Sequence, residues 1–343
     1  MNDEQRLIAE TTERIFKTHC TNALVDQAEK GIYPEALWAL LAENGLTTLG
    51  ATTELGGSGG TFGDALVILR QAGRFSLPLP LAENLVAAQL LAESGVSVPD
   101  GEMTIVAADL VQEPDGSISG DAKGVPFGRY CKWVFCVDPK NANQLYQLSA
   151  DQWTVTSGTD LAGCARDDLA FQKVTLADNQ VWQVDFDVAR LQLLGAAGRA
   201  AMMAGALEAA LEATVGYALE RKQFGKPIAK FQAIQQQLAV FSTHVAASTR
   251  AAETLMVTGT LSEIDVAIAK SRIGEAAGVG AEVAHQVFGA IGYTKDHGLN
   301  HLTRRLWVWR DEFGHEGVWQ TRLGKLLLAE GDVPLWHQIT QLG

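Results

Sequence analysis

Apolar positions change their period twice along the chain. Residues 1–100 carry them at helical spacing. Pro34 opens PEALWALLAENGL, which sets Leu37, Leu40 and Leu41 on one face and stops at Gly45. ELGGSGGTFGDALVILRQAGR follows, a glycine-rich loop leading into a helix with Leu66, Ile68 and Leu69. From 101 to 185 the stretches shorten. MTIVAADLV, KWVFCV, QLYQLS, QWTVTSG and LAFQKVTL are rich in β-branched and aromatic residues and are separated by PDG, GDAKG and DPKNAN. They predict a small antiparallel β-domain. From 186 the helical period returns in longer runs. Met203, Leu207, Leu211, Val215 and Leu219 recur every four residues, with Ala206, Ala210 and Ala218 beside them and Glu208 and Glu212 expected to face away. Further helices are expected from near Phe231, over Ile264–Phe288 and from near His301. Long helices with short connections predict an antiparallel four-helix bundle. The fold class is α+β in three domains: helical 1–100, β 101–185 and helical 186–343.

Composition narrows the function classes. The 343 residues suffice for several packed units and a large core, and 47% hydrophobic with 20% charged residues suits a globular protein. A net charge of −13 argues against nucleic acid or an anionic membrane as the main partner, because both require a basic surface. Apolar runs are interrupted well short of a membrane span, and the first residues lack the basic-then-apolar pattern of a signal peptide. Cys20, Cys131, Cys136 and Cys164 form no CxxC pair. Neither a zinc ribbon nor a disulfide framework is expected, and a reducing cytoplasm is the simple reading.

Three segments offer candidate chemistry. ERKQFGKPIAKFQAIQQQLA, Glu220 to Ala239, breaks two helices at Gly225-Lys226-Pro227. Arg221 supplies a permanent cation able to make two parallel hydrogen bonds, Gln223 an amide beside it, and the next helix start unpaired N–H groups. That set suits a diphosphate; an arginine paired with a surface carboxylate is the plainer alternative. QVFGAIGYTKDHGLNHLTRRL, from Gln286, places Gly289 and Gly292 about a tight turn, either a ligand approach or a helix stop. RRLWVWRDEFGHEGVW, from Arg304, mixes tryptophans with Asp311, Glu312 and Glu316. A carboxylate in an aromatic pocket can act as a base. The tryptophans otherwise fill a core, and Arg310 with Glu316 forms a solvated face. His297, His301 and His315 lack metal-ligand spacing, and the glycine-rich loop has neither a preceding strand nor a closing GK[ST], so it reads as a tight helix connection.

Together these segments resemble the acyl-CoA dehydrogenase family of flavoproteins. YALERKQFGKPIAKFQAIQQQLA is similar to its YAxxRxQFGxPIxxFQAIxxxLA signature, QVFGAIGYTKDHGLNHLTRR to QxxGGxGYTxEHxLxxxxRR, and LWALLAENGLTTLGATTELGGSGGTFGDALVILRQAGR to its N-terminal segment. The resemblance implies FAD as cofactor. It also implies that Arg221 reaches across a subunit interface to the FAD diphosphate, with Gln223 and Phe224 beside it, and that Gln286 and Gly289 meet the adenosine end of FAD in a neighbouring subunit. Ala290 replaces the second glycine of that motif.

Two departures stand beside these matches. The TEPxxGSD motif, near the flavin and the thioester in the family, has no counterpart between Leu90 and Ser117. The two positions where the family carries its catalytic Glu hold Phe313, one residue after Glu312, and Ala189. The resemblance therefore implies one subunit of a hetero-oligomeric dehydrogenase of bulky acyl-CoAs, steroid side-chain thioesters among them. A longer homologue in an α2β2 assembly would supply the Glu, and an electron-transfer flavoprotein would accept the electrons. A self-sufficient homo-oligomer using Glu312, or a non-catalytic scaffold subunit, is the alternative.

Overall fold

The computed structural model describes residues 1–138, 140, 144–257, 261–294, 297–329 and 336. Two compact units emerge, one of residues 23–65 and 78–195, the other of residues 1–22, 66–77 and 196–343.

In the first unit, α2 (Asn22–Ala28) and α3 (Glu35–Glu43) precede the glycine-rich loop, and α5 (Leu81–Glu93) is buried along nearly its whole length. The loop spends its own donors. Gly50, Gly57, Ser58 and Gly59 each give their backbone N–H to a carbonyl of the same loop. Gly56, Gly59 and Gly60 take positive φ, and Gly57 packs so closely on the Ala51 carbonyl that no side chain fits. Such a loop is built to turn, with little left to cradle a phosphate.

Among the described residues eight strands follow: β1 (Met103–Ala107), β2 (Asp109–Gln112), β3 (Ile118–Pro126), β4 (Trp133–Val137), β5 (Gln144–Ser149), β6 (Thr154–Thr156), β7 (Arg166–Val174) and β8 (Val181–Gln183). They form two sheets of order β1-β4-β5-β8 and β2-β3-β7-β6. All pairs are antiparallel except β1 with β4, which run parallel with Met103 opposite Trp133. The chain leaves β1 for the second sheet and returns through β2 and β3, a connection long enough for a parallel neighbour. Val134, Cys136 and Leu148 from one sheet and Leu110, Ile118, Leu169 and Phe171 from the other share one buried cluster. Asp167, fully buried, holds the Arg129 guanidinium and backbone N–H. Asn84 accepts from Met103 N–H at 2.7 Å and donates to the Thr47 carbonyl at 2.9 Å, joining α5, β1 and the loop after α3.

The second unit is helical. It holds α1 (Asp3–His19), the end of α4 (Phe62–Arg74), most of α6 (Val188–Glu220), α7 (Gln232–Val257), α8 (Glu263–Phe288), α9 (Leu299–Asp311) and α10 (Glu316–Ala329). α1 begins with a reciprocal cap in which the Asn2 side chain accepts from Gln5 N–H and Gln5 Oε1 from Asn2 N–H. Along α6, Met203 and Leu207 are buried, yet Leu219 is 59% exposed. A strict four-residue repeat advances about 40° per step around a 3.6-residue helix, so the apolar row winds off the core face. Glu208 also departs from the outward orientation its spacing predicts. It accepts from Arg70 of α4 at 2.6 Å and from Thr249 of α7 at 2.6 Å.

α4 and α6 cross through Gly73 and Gly205, where an added Cβ would overlap the Met202 or the Arg70 carbonyl. Backbone cannot yield as a flexible side chain can. Gly205→Ala is expected to cost about 3 kcal/mol, the upper range for overpacking, read as a lowered urea midpoint with unchanged m.

Candidate cofactor-binding site

The sequence Arg221–Pro227 folds as a two-residue hairpin. α6 ends at Glu220, β9 (Lys222–Gln223) pairs with β10 (Lys226–Pro227), and Gln223 faces Lys226 across the ladder. The turn residues Phe224 and Gly225 both take positive φ, 52° and 77°. This is the primed turn that two-residue hairpins need; glycine adopts it freely and phenylalanine does so at a cost. Arg221 closes the base, its carbonyl accepting from Ile228 N–H at 2.8 Å.

The side chains of this hairpin point outward. Phe224 is 92% exposed and meets the edge of Phe231, with ring centres 6.2 Å apart. Lys226 Nζ lies 4.5 Å over the Phe231 ring. Arg221 and Gln223 are exposed, and among the described residues no carboxylate lies within ion-pair distance of Arg221. Arg221, Lys222, Lys226 and Lys230 concentrate positive charge on one short stretch of an acidic chain.

The second motif sits at the same end of the helical unit. Ala218, Ile228 and Val287 form a buried cluster with Tyr217, Phe231 and Ile234, and the Tyr217 and Phe288 rings stack at 4.3 Å. Val287 thereby anchors the end of α8 to the hairpin. Gly289 ends α8 at φ 62°, ψ −143°, a region essentially reserved for glycine. Gln286, Gly289 and Ala290 border a groove of about 480 Å³ whose other walls include His285, Tyr293 and Trp307. The Gln286 side chain is exposed, and none of the hydrogen bonds among the described residues involves it.

His285 escaped the sequence reading, and Trp307 stood in it only as one of three tryptophans. His285 is buried; its Nε2 lies 2.9 Å from Thr303 Oγ1, and that hydroxyl donates on to the Leu299 carbonyl. Nε2 therefore carries the proton, and Nδ1 is left bare and buried. Burial also lowers its pKa, so the imidazole is neutral. The three tryptophans divide: Trp309 and Trp319 are core, as their spacing suggested, whereas Trp307 is 36% exposed.

Glu312 sits in a different environment. Arg199 of α6, only 3% exposed, pairs with its carboxylate and lies 5.8 Å over the Phe313 ring. Lys270 of α8, fully buried, donates to the Trp309, Arg310 and Glu312 carbonyls at 3.1, 3.1 and 2.8 Å. These are carbonyls that the end of α9 leaves unpaired, so Lys270 caps one helix from another. Burial pulls the Lys270 pKa down to about 7. Arg310 binds Glu316 and pulls its carboxyl down to about 2, an ion pair in place of the solvated face expected for these two. The α9–α10 corner is thus fastened by two buried cations, and Glu312 is half of an ion pair. Ala189, at the other expected base position, is exposed in the first turn of α6.

Family models for the N-terminal and C-terminal domains of acyl-CoA dehydrogenase match residues 2–97 and 186–324. The chain belongs to the acyl-CoA dehydrogenase family. Acyl-CoA dehydrogenase IpdE2 of Mycolicibacterium smegmatis is 28% identical over 316 residues, covering 89% of this chain and 93% of that protein. The ChsE4-ChsE5 complex from Mycobacterium tuberculosis contains a chain of the same fold, with TM-score 0.84 and 20% identity over 97% of this chain and 99% of that one. A steroid acyl-CoA dehydrogenase, the Tcur3481-Tcur3483 G363A variant, matches with TM-score 0.83 and 22% identity over 96% and 98%. FAD is the cofactor of this family. The residues present fit its diphosphate and adenosine. Among the described residues, Arg221 is an exposed cation with no carboxylate partner, and Gln286 is an uncommitted amide at the mouth of an aromatic groove.

Proposed function

We propose that this chain is one subunit of a hetero-oligomeric acyl-CoA dehydrogenase that introduces an α,β double bond into a bulky acyl-CoA thioester, with a longer homologous partner supplying the carboxylate base. The observation that carries this reading is the ion pair of Glu312 with the buried Arg199. An α-proton is weakly acidic, and its removal needs a carboxylate with an open lone pair in a desolvated site. Glu312 has surrendered its charge to a fixed guanidinium, and Ala189 has no carboxylate to offer. The relatives support the assembly and the substrate class. One is a two-protein complex, ChsE4-ChsE5, and another a steroid acyl-CoA dehydrogenase.

In this reading Arg221 holds the FAD diphosphate across the subunit interface. The positive-φ turn thrusts Phe224 and Gln223 outward beside it, and Gln286 and Gly289 receive the adenosine end. FAD, when bound, supplies the acceptor for the hydride leaving the β-carbon. An electron-transfer flavoprotein then takes the electrons.

Arg221→Ala in the assembled complex tests the cofactor role. Losing hydrogen bonds from a charged donor to a diphosphate is expected to weaken FAD binding about 30-fold, read as flavin absorbance per protein after gel filtration. Full FAD content in that variant would leave this chain only a scaffold.

A further inference from the structure

The turn from α9 into α10 keeps a residue in a costly conformation. Phe313 takes φ 54°, in the left-handed region, and Gly314 follows at 95°. A phenylalanine stays there only where its surroundings fix it. Hydrogen bonds do so here. Trp319 Nε1 donates to the Phe313 carbonyl at 2.9 Å and Gly314 N–H to the Asp311 carbonyl at 3.3 Å. Lys270 Nζ, from α8, donates at 2.8 Å to the Glu312 carbonyl, just before the strained residue. The same ammonium reaches the Trp309 and Arg310 carbonyls at 3.1 Å each, so one side chain ties the last turn of α9 to the corner beyond it.

Charge and place conflict at Lys270. Three carbonyls ask for three N–H donors, which an ammonium has; a neutral amine has two and a lone pair. Yet the side chain is fully buried, and Arg199, 3% exposed, brings a second cation to the corner from α6. The acids around it are engaged or turned to water. Glu312 pairs with Arg199 and Glu316 with Arg310, while Asp311 at the end of α9 is exposed. His315, between them in the turn, is exposed as well. Burial, and then the charge of Arg199, outweigh Asp311 and Glu316 and bring the ammonium from its ordinary 10.5 down to about 7.

We infer that the α9–α10 turn is a proton-coupled latch, which opens by releasing Lys270 to water and takes up a proton as it does so. With the turn open, Nζ is solvated and holds its proton up to 10.5; with the turn closed it gives the proton up near 7. Closure is therefore favoured as pH rises from 7 towards 10.5 and weakened as pH falls through the same window. Below pH 7 both forms are charged and the balance no longer moves, with the three carbonyls still holding the ammonium. What the latch releases is the Phe313 backbone, at one of the two positions where the resemblance places a base.

Hydrogen exchange read by mass spectrometry tests this on the full chain, in the assembly in which it purifies. Peptides covering residues 309–319 are compared at pH 7 and pH 9, with each rate divided by its intrinsic rate at that pH. Wild type is expected to open about 50-fold less often at pH 9, the ratio that values of about 7 closed and 10.5 open give over that interval. Peptides from β3 and β7 serve as reference and are expected to keep their protection. Lys270→Met, which fills the space and carries no proton, is expected to open the turn equally at the two pH values, within about twofold. Unchanged wild-type protection at 309–319, an equal change in the β3 and β7 peptides, or a pH dependence kept by Lys270→Met overturns the latch. A plain helix cap gives a different pattern, in which Lys270→Met loosens the turn and wild type shows no pH dependence. If Lys270→Met does not fold, the wild-type comparison decides alone: a change confined to residues 309–319 supports the latch, and its absence or spread overturns it.

Discussion

Purified by itself and supplied with excess FAD, the chain is expected to turn over acyl-CoA thioesters at least about 10³-fold more slowly per subunit than when assembled with a longer dehydrogenase homologue. General-base catalysis contributes about 10² to 10⁴ in rate, and this chain has no carboxylate free to provide it at either position the family uses. In the proposed reading, half of a flavin site without its base binds and does not react. The measurement is dye reduction by the lone chain and by the co-expressed pair, normalised to bound flavin. A lone chain that reaches the rate of the pair refutes the two-subunit reading. A pair that stays at the rate of the lone chain refutes this chain's place in the active assembly. The partner's own carboxylate gives an internal control: its Glu→Gln change removes turnover while flavin content stays constant.

How far the sequence carried these conclusions depends on whether a feature is local. Helix periods, strand lengths and turn residues are local, so the order of helical, β and helical regions could be read directly. Pro34 and Gly45 bracket α3 within a residue of their expected places, and α8 begins at Glu263 under a Ser262 cap. The parallel pairing of β1 with β4 could not be read, because it follows from where the chain goes between them. Leu219 was misplaced by a four-residue rule that holds for two turns of a helix and fails over four. The Arg221 hairpin was legible as a break, but its positive-φ phenylalanine is a property of the turn and not of the residue.

The site divides the same way. Arg221, Gln286 and Gly289 stood out because they sit in ordered motifs. His285 lies one position before Gln286 in a helix, and a lone histidine on a helix face is usually core. Its stack with the Tyr293 and Trp307 rings, which come from other elements, cannot be read from its own helix. Nothing in the alanine-rich stretch around Lys270 marks it as buried. Its burial became visible only when α9 ended with three carbonyls aimed at it. The same packing gives Glu312 a partner, Arg199, 113 residues away in sequence.

Glu312→Gln is expected to lower stability by about 3 kcal/mol while leaving turnover of the assembled enzyme, per bound flavin, within about twofold. The two readouts separate the roles this residue could have. As a structural acceptor it pairs with Arg199, which is almost fully buried; removing the carboxylate takes a charged partner from a desolvated guanidinium, a loss of about 3–5 kcal/mol for a broken buried pair. The amide still accepts one hydrogen bond and Glu312 is less deeply buried than its partner, so the lower end of that range applies. As a catalytic base, the same substitution would remove turnover by orders of magnitude at intact flavin content, because an amide cannot accept the α-proton. Urea denaturation followed by tryptophan fluorescence measures the first quantity. Dye reduction at a temperature well below the new midpoint measures the second, so that unfolding does not imitate lost catalysis. A companion substitution checks the cause: Arg199→Met with Glu312→Gln removes both charges from the same place, and the pair is expected to be more stable than Glu312→Gln alone. A double variant no more stable than the single would mean that the corner depends on Arg199 for packing over Phe313, and that the ion pair is not what fixes Glu312.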